Sequence, residues 1–128
     1  MDSVRWPFDH SADSASVRRA AQRVLARWQA PDLVPDALLV ITELVQNVVQ
    51  HTDDGGELML TLQGDTLLIE VADSSPGLPR LCPPDPRRIG GRGMVVVAAM
   101  SRAWGSRLTT TGKVVWARLA PQPAPAPA

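Results

Sequence analysis

ELMLTLQGDTLLIEVAD, residues 57–73, holds two runs of strand-forming residues on either side of a single Gly64-Asp65 pair. Two such runs with two turn residues between them are a hairpin signal, because a tight turn of that length returns the chain antiparallel to itself. Downstream, GSRLTTT (105–111) and KVVWARLA (113–120) repeat the pattern around Thr111-Gly112. Between the hairpins, MVVVAAMSRAW (94–104) reads as a helix that begins just after a run of glycines.

Upstream, VRWPF (4–8) reads as a short edge strand, where a proline is tolerated. SADSASVRRAAQRVLARWQA (11–30) reads as a helix capped by Ser14 or Ser16 and ended by Pro31. PDLVPDALLVITELVQNVVQHT (31–52) reads as a second helix, with Pro35 in its first turn, and DDGG (53–56) as a turn. Hairpins dominate, and a helix splits them rather than alternating with single strands. The expected fold class is therefore α+β: a two-layer α/β sandwich with a mostly antiparallel mixed sheet and helices on one face.

The chain has 128 residues, which reads as one domain able to bury roughly two-thirds of its open-chain surface. Residues 1–119 are expected to form that domain, and 120–128 a Pro/Ala-rich flexible tail. The formal net charge is zero, which argues against direct binding of nucleic acid. No apolar run approaches the roughly 18 residues of a membrane span, so no membrane association is expected. The first ten residues lack a signal-peptide pattern, and the single cysteine, Cys82, allows neither an internal disulfide nor a zinc site. A cytoplasmic protein is expected. Twelve arginines against one lysine, Lys113, look like the product of a GC-rich bacterial genome. Trp28, Trp104 and Trp116 are expected in the core, and Trp6 in the core or at an interface.

Three stretches carry chemistry. In ITELVQNVVQHT (41–52), Glu43, Asn47 and His51 recur every four residues, which places them along one helical face. Periodicity alone favours a solvated face over the wall of a site, yet the face carries no lysine or arginine, which solvated faces usually do. A carboxylate one turn from a carboxamide can set a general base beside a neutral oxygen ligand. A hard cation such as Mg²⁺ needs only one such protein oxygen when phosphates supply others. Farther along, a strand ends in VAD (71–73), and SSPGLP (74–79) follows as a Ser-Ser-Pro-Gly turn. Asp73 there is either a turn residue or an acceptor for a ligand's amino group. In GGRGMVVVAAM (90–100), glycines lead into a helix start, where free N–H groups and the helix dipole suit an anion.

Taken together and in this order, these stretches resemble the GHKL (histidine-kinase-like) ATPase superfamily over about Val17 to Leu119. ELVQNVVQH is similar to its N box, and Asp73 with the SSPGLP behind it to its first glycine box. GRGM is similar to its second glycine box, and GKVVWARL to the final strand of the small bacterial members. The chain looks most like the stand-alone anti-sigma-factor serine kinase branch. The resemblance implies a Bergerat-type ATP-binding fold with ATP and Mg²⁺ as ligands. It implies that Asn47 ligates Mg²⁺ and that Glu43 is the catalytic base or orients the attacking hydroxyl. It implies that Asp73 accepts the adenine amino group and Gly77 lines the adenine pocket. Gly91, Arg92, Gly93 and Met94 would then cradle phosphates, and residues 80–92, with Arg87 and Arg88, would form a short lid.

The implied activity is a regulatory serine/threonine protein kinase. It would transfer the ATP γ-phosphate to a hydroxyl of an anti-sigma-factor antagonist and sequester a sigma factor; the relatives suggest a homodimer. Two positions depart from the pattern. Ser75 stands where the first glycine of its box is expected, and Val114 stands in the region of a threonine near the adenine. They leave open an alternative, a degenerate ATP-binding regulator that acts by partner binding without catalysis. A detached histidine-kinase domain would need a phospho-acceptor histidine on a dimerising helix, and neither His10 nor His51 suits that role.

Overall fold

The structure is a computed structural model that describes residues 1–9, 14–51, 55–74 and 93–121. Strands β1 (Asp2–Phe8), β2 (Gly56–Gln63), β3 (Thr66–Asp73), β4 (Ala103–Leu108) and β5 (Lys113–Leu119) form one sheet in the order β1-β2-β3-β5-β4. Each of its four pairings is antiparallel. Helices α1 (Ser14–Arg27), α2 (Val34–His51) and α3 (Gly93–Met100) complete the α+β architecture expected from the two hairpins.

The two-residue period of the strands builds the core. Leu58, Val71 and Val115 lie side by side on β2, β3 and β5, as do Leu60, Ile69 and Ala117, and then Leu62, Leu67 and Leu119. All nine are buried. Val4 and Trp6 extend two of these rows onto β1, and both pack against the core. Onto these rows α2 lays Ala37, Val40, Ile41, Leu44, Val45 and Val48, all buried. Each large apolar side chain so buried contributes roughly 1.5–3 kcal/mol. Helix α2 is the hub, touching β2, β3 and β5 as well as both other helices.

The opposite sheet face is laced by polar contacts. Arg107 of β4 reaches across β5 to Glu70 of β3, with Nη2 donating to Oε2 at 2.7 Å. The Arg118 guanidinium lies 5.8 Å from the centre of the Trp116 ring. Trp116 thus sits on the outer face, half-buried and outside the core, contrary to expectation; one step along β5 from an inward residue reverses the side. Trp28 and Trp104 do pack on the core.

Helix boundaries differ from expectation for local reasons. Helix α1 ends at Arg27, before Pro31 can act. Ala30 N–H donates to Leu25 O and Gln29 N–H to Ala26 O, each at 3.1 Å, with Gln29 at φ 58°. This is the Schellman closure, in which a left-handed residue satisfies the last carbonyls. Pro31 instead opens a short 3₁₀ turn, Pro31–Leu33, that leads into α2. Helix α3 stops at Met100 rather than running to Trp104. Arg102 N–H bonds Arg118 O at 2.8 Å, and Ala103 and Trp104 then pair with Arg118 and Ala117. The strand ladder takes residues that an apolar run assigns to the helix. The second hairpin turns through residues 109–112, closed by Thr109 N–H donating to Gly112 O at 2.9 Å.

Gln29 occupies a conformation that costs an L-residue with a Cβ about 1–2 kcal/mol. Gln29→Gly is expected to raise stability by about 1 kcal/mol, read as a higher midpoint in urea unfolding with an unchanged slope.

Candidate functional site

The three apolar rows of the sheet are followed by a fourth of different character: Gly56, Asp73 and Lys113 on β2, β3 and β5. Two residues beyond Val71 and two before Val115, Asp73 and Lys113 face the helices by the same alternation. Their side chains are only 2% and 7% exposed. The Lys113 Nζ donates to Asp73 Oδ1 at 3.2 Å and lies 3.2 Å from Oδ2, so the ammonium bridges both carboxylate oxygens. The backbone around the pair is tight. A Cβ at Gly112 would meet the Asp73 carbonyl oxygen at 2.0 Å and Ser74 Cα at 2.6 Å, so only glycine lets the β4–β5 turn press against the end of β3.

Glu43 and Asn47 lie one turn apart on α2. Both are half-buried and follow at four-residue spacing from the exposed Leu39, on the side of α2 away from its buried stripe. Gln46, on the same helix, turns toward α1, with its Nε2 at 3.5 Å from Ser14 Oγ. Helix α3 begins at Gly93 and packs on α2. Met94 is buried in the core, so its side chain anchors the helix start and only its backbone is left to meet an anion.

Asp73 thus faces the helical layer, to which Glu43 and Asn47 on α2 and Gly93 and Met94 at the start of α3 belong. Gly77, Gly91, Arg92, Ser75, Cys82, Arg87, Arg88, the remainder of 80–92 and His10 lie outside the described residues. Val114 is corrected in its placing. It pairs with Ala72 and points to the outer face, buried but not part of the core, so it does not line the Asp73 side. The residue that does is Lys113, which no motif in the sequence assigns to the site. Its signal is compositional: the one lysine among twelve arginines opens an apolar strand. Among the described residues, no three His, Cys, Asp or Glu side chains group to hold a metal ion. No described helix is long and apolar enough to cross a membrane.

The chain matches the family described as histidine kinase-like ATPase domain over residues 9–119. Among curated proteins none matches significantly. Thirteen chains of solved structures do. One similar structure is that of the RsbU and RsbW domains of Rv1364c from Mycobacterium tuberculosis, with a TM-score of 0.70 and 18% identity. The alignment covers 94% of this chain and 32% of that one, and at this identity it speaks for the fold.

A buried charge left alone is costly, whereas removing both partners of a pair often is not. Lys113→Met is expected to lower stability by about 3–5 kcal/mol, and Asp73→Asn combined with Lys113→Met to recover most of that loss. Urea unfolding of both variants checks the difference.

Proposed function

Because the chain belongs to the histidine kinase-like ATPase domain family, we propose that it binds ATP with Mg²⁺ and works as a regulatory serine/threonine protein kinase of the anti-sigma-factor type. The observation that carries this reading is the side of the sheet that the candidate residues share: the buried Asp73 faces the helical layer, to which the Glu43–Asn47 pair of α2 and the start of α3 belong.

The donor set fits the ligands. Asp73 is an acceptor suited to the adenine amino group, with Gly77 lining the base. Gly93 and Met94 open α3 and offer backbone N–H groups to phosphate where the helix dipole favours negative charge, and Gly91 and Arg92 are the residues we assign to the same phosphate role. Asn47 would present one carboxamide oxygen to Mg²⁺, a hard cation that a single protein oxygen can hold when phosphates supply others. When bound, Mg²⁺ supplies charge neutralisation across the phosphates. Glu43, four residues before Asn47, orients the hydroxyl of the protein substrate and takes its proton. Phosphoryl transfer asks for positioning and electrostatics more than covalent help, and these residues provide both.

The substrate in this reading is a serine or threonine of an antagonist protein, and the sequestered partner is a sigma factor. A homodimer in the bacterial cytoplasm is the form in which we expect it to act. Residues 1–119 are the working domain and 120–128 a tail.

Glu43→Ala is expected to keep ATP-Mg²⁺ affinity within a few-fold while phosphotransfer to the antagonist falls about 10²-fold or more. Asn47→Ala is expected to abolish the gain in ATP affinity that Mg²⁺ confers. Titration calorimetry and a phosphotransfer assay read the two effects. Failure of the wild-type protein to bind ATP-Mg²⁺ would remove the kinase reading altogether.

A further inference from the structure

The Asp73–Lys113 pair asks for an account that goes beyond the carboxylate. This account rests on the ATP reading above. Every neighbouring row of the sheet on this side is apolar, and a well-packed apolar pair would be at least as stable as a buried ion pair. The lysine is therefore not explained by the fold's need for a filler. Nor is it a solvated charge that happens to touch a carboxylate, since its side chain is 7% exposed. In a chain that otherwise uses arginine, this position holds the compact ammonium, a point charge small enough to sit beside Asp73 on the adjacent strand.

Its geometry leaves capacity. An ammonium has three donors and no acceptor, while an ionised carboxylate only accepts. Nζ lies 3.2 Å from each Asp73 oxygen, which accounts for two donors and leaves a third N–H for a ligand. The pair thus presents an acceptor and a donor next to each other at one buried edge. Adenine's Watson–Crick edge presents the complement: the exocyclic amino donor beside the ring-nitrogen acceptor N1. Guanine reverses the two, with a carbonyl acceptor beside a ring N–H donor, and would set its carbonyl against the Asp73 carboxylate.

We propose that Lys113 is a base-recognition residue: its ammonium donates to N1 of adenine while Asp73 accepts from the neighbouring amino group, so that the ion pair reads both atoms of the edge. Asp73 held by Lys113 is also held in orientation, so the carboxylate meets the base without first losing rotamer freedom. Selection of adenine over guanine then belongs to the pair and not to the carboxylate alone.

The test uses ATP, GTP and 1-deaza-ATP, in which C–H replaces N1, titrated calorimetrically into the full-length protein. The wild type is expected to bind ATP about tenfold or more tightly than 1-deaza-ATP, the size of one hydrogen bond to a charged donor, and to disfavour GTP. Lys113→Met is expected to bind ATP and 1-deaza-ATP equally. If circular dichroism shows that variant unfolded, Asp73→Asn with Lys113→Met, which leaves no buried charge alone, takes its place with the same expectation. Equal wild-type affinity for ATP and 1-deaza-ATP overturns the proposal, as does a folded variant that keeps the preference. Either result leaves ATP binding itself intact, whereas a wild type that binds no ATP overturns both readings together.

Discussion

The register of three strands is the constraint on which the site depends. Gly56, Asp73 and Lys113 are neighbours because β2, β3 and β5 pair as they do, and the same pairing aligns the three apolar rows behind them. A slip of one residue in β5 would turn Val115, Ala117 and Leu119 away from the helices and expose the core. It would also separate Lys113 from Asp73. The polar row is therefore held in place by the hydrophobic ones: the burial of nine side chains sets where one carboxylate and one ammonium meet. Gly112 adds a second lock, because no larger residue fits between the β4–β5 turn and the end of β3.

Helix α2 couples this sheet to the rest of the site. Its buried stripe fixes its rotation over β2, β3 and β5, and with it the direction in which Glu43 and Asn47 project. The i, i+4 spacing then does what it does on any helix, bringing the two side chains together on one side. Met94 plays the matching part for α3: a buried side chain in the first turn anchors the start of the helix. In each case an apolar contact aims a polar group.

Much of this was legible in the sequence, for reasons that differ by element. The β2–β3 hairpin was readable because Gly64-Asp65 is a local signal that needs no tertiary partner. The Glu43–Asn47 pair was readable because helical periodicity is local too. The strand placement of Trp104 and the end of α3 were not, since an apolar run suits a helix and a buried strand equally well, and only pairing with β5 decides between them. The end of α1 is hidden because Gln29, rather than a glycine, takes the left-handed position and so masks the stop signal. Lys113 escaped for the deepest reason. Its role comes from a cross-strand neighbour forty positions away, and nothing in KVVWARL announces that partner. Val114 stands one residue from Lys113, and in a strand one residue is the difference between the two faces.

A buried ion pair at the end of an apolar ladder invites the question of why it has not been replaced. Desolvating a carboxylate and an ammonium costs several kcal/mol each, and their attraction only about restores it, so stability alone gives no reason to keep them. Solubility gives none either, since both groups are almost wholly shielded from water. What the pair does supply is direction: a charge whose hydrogen-bonding partners are fixed before any ligand arrives has no solvent shell to shed and no rotamer to choose. Two other ion pairs among the described residues offer a contrast. Arg5–Glu57, 3.7 Å apart, and Arg107–Glu70, 2.7 Å apart, lie on the outer face with their arginines largely exposed, where such contacts add little and tie nothing to the core. The chain therefore places its one lysine where a fixed donor beside a fixed acceptor has chemical meaning.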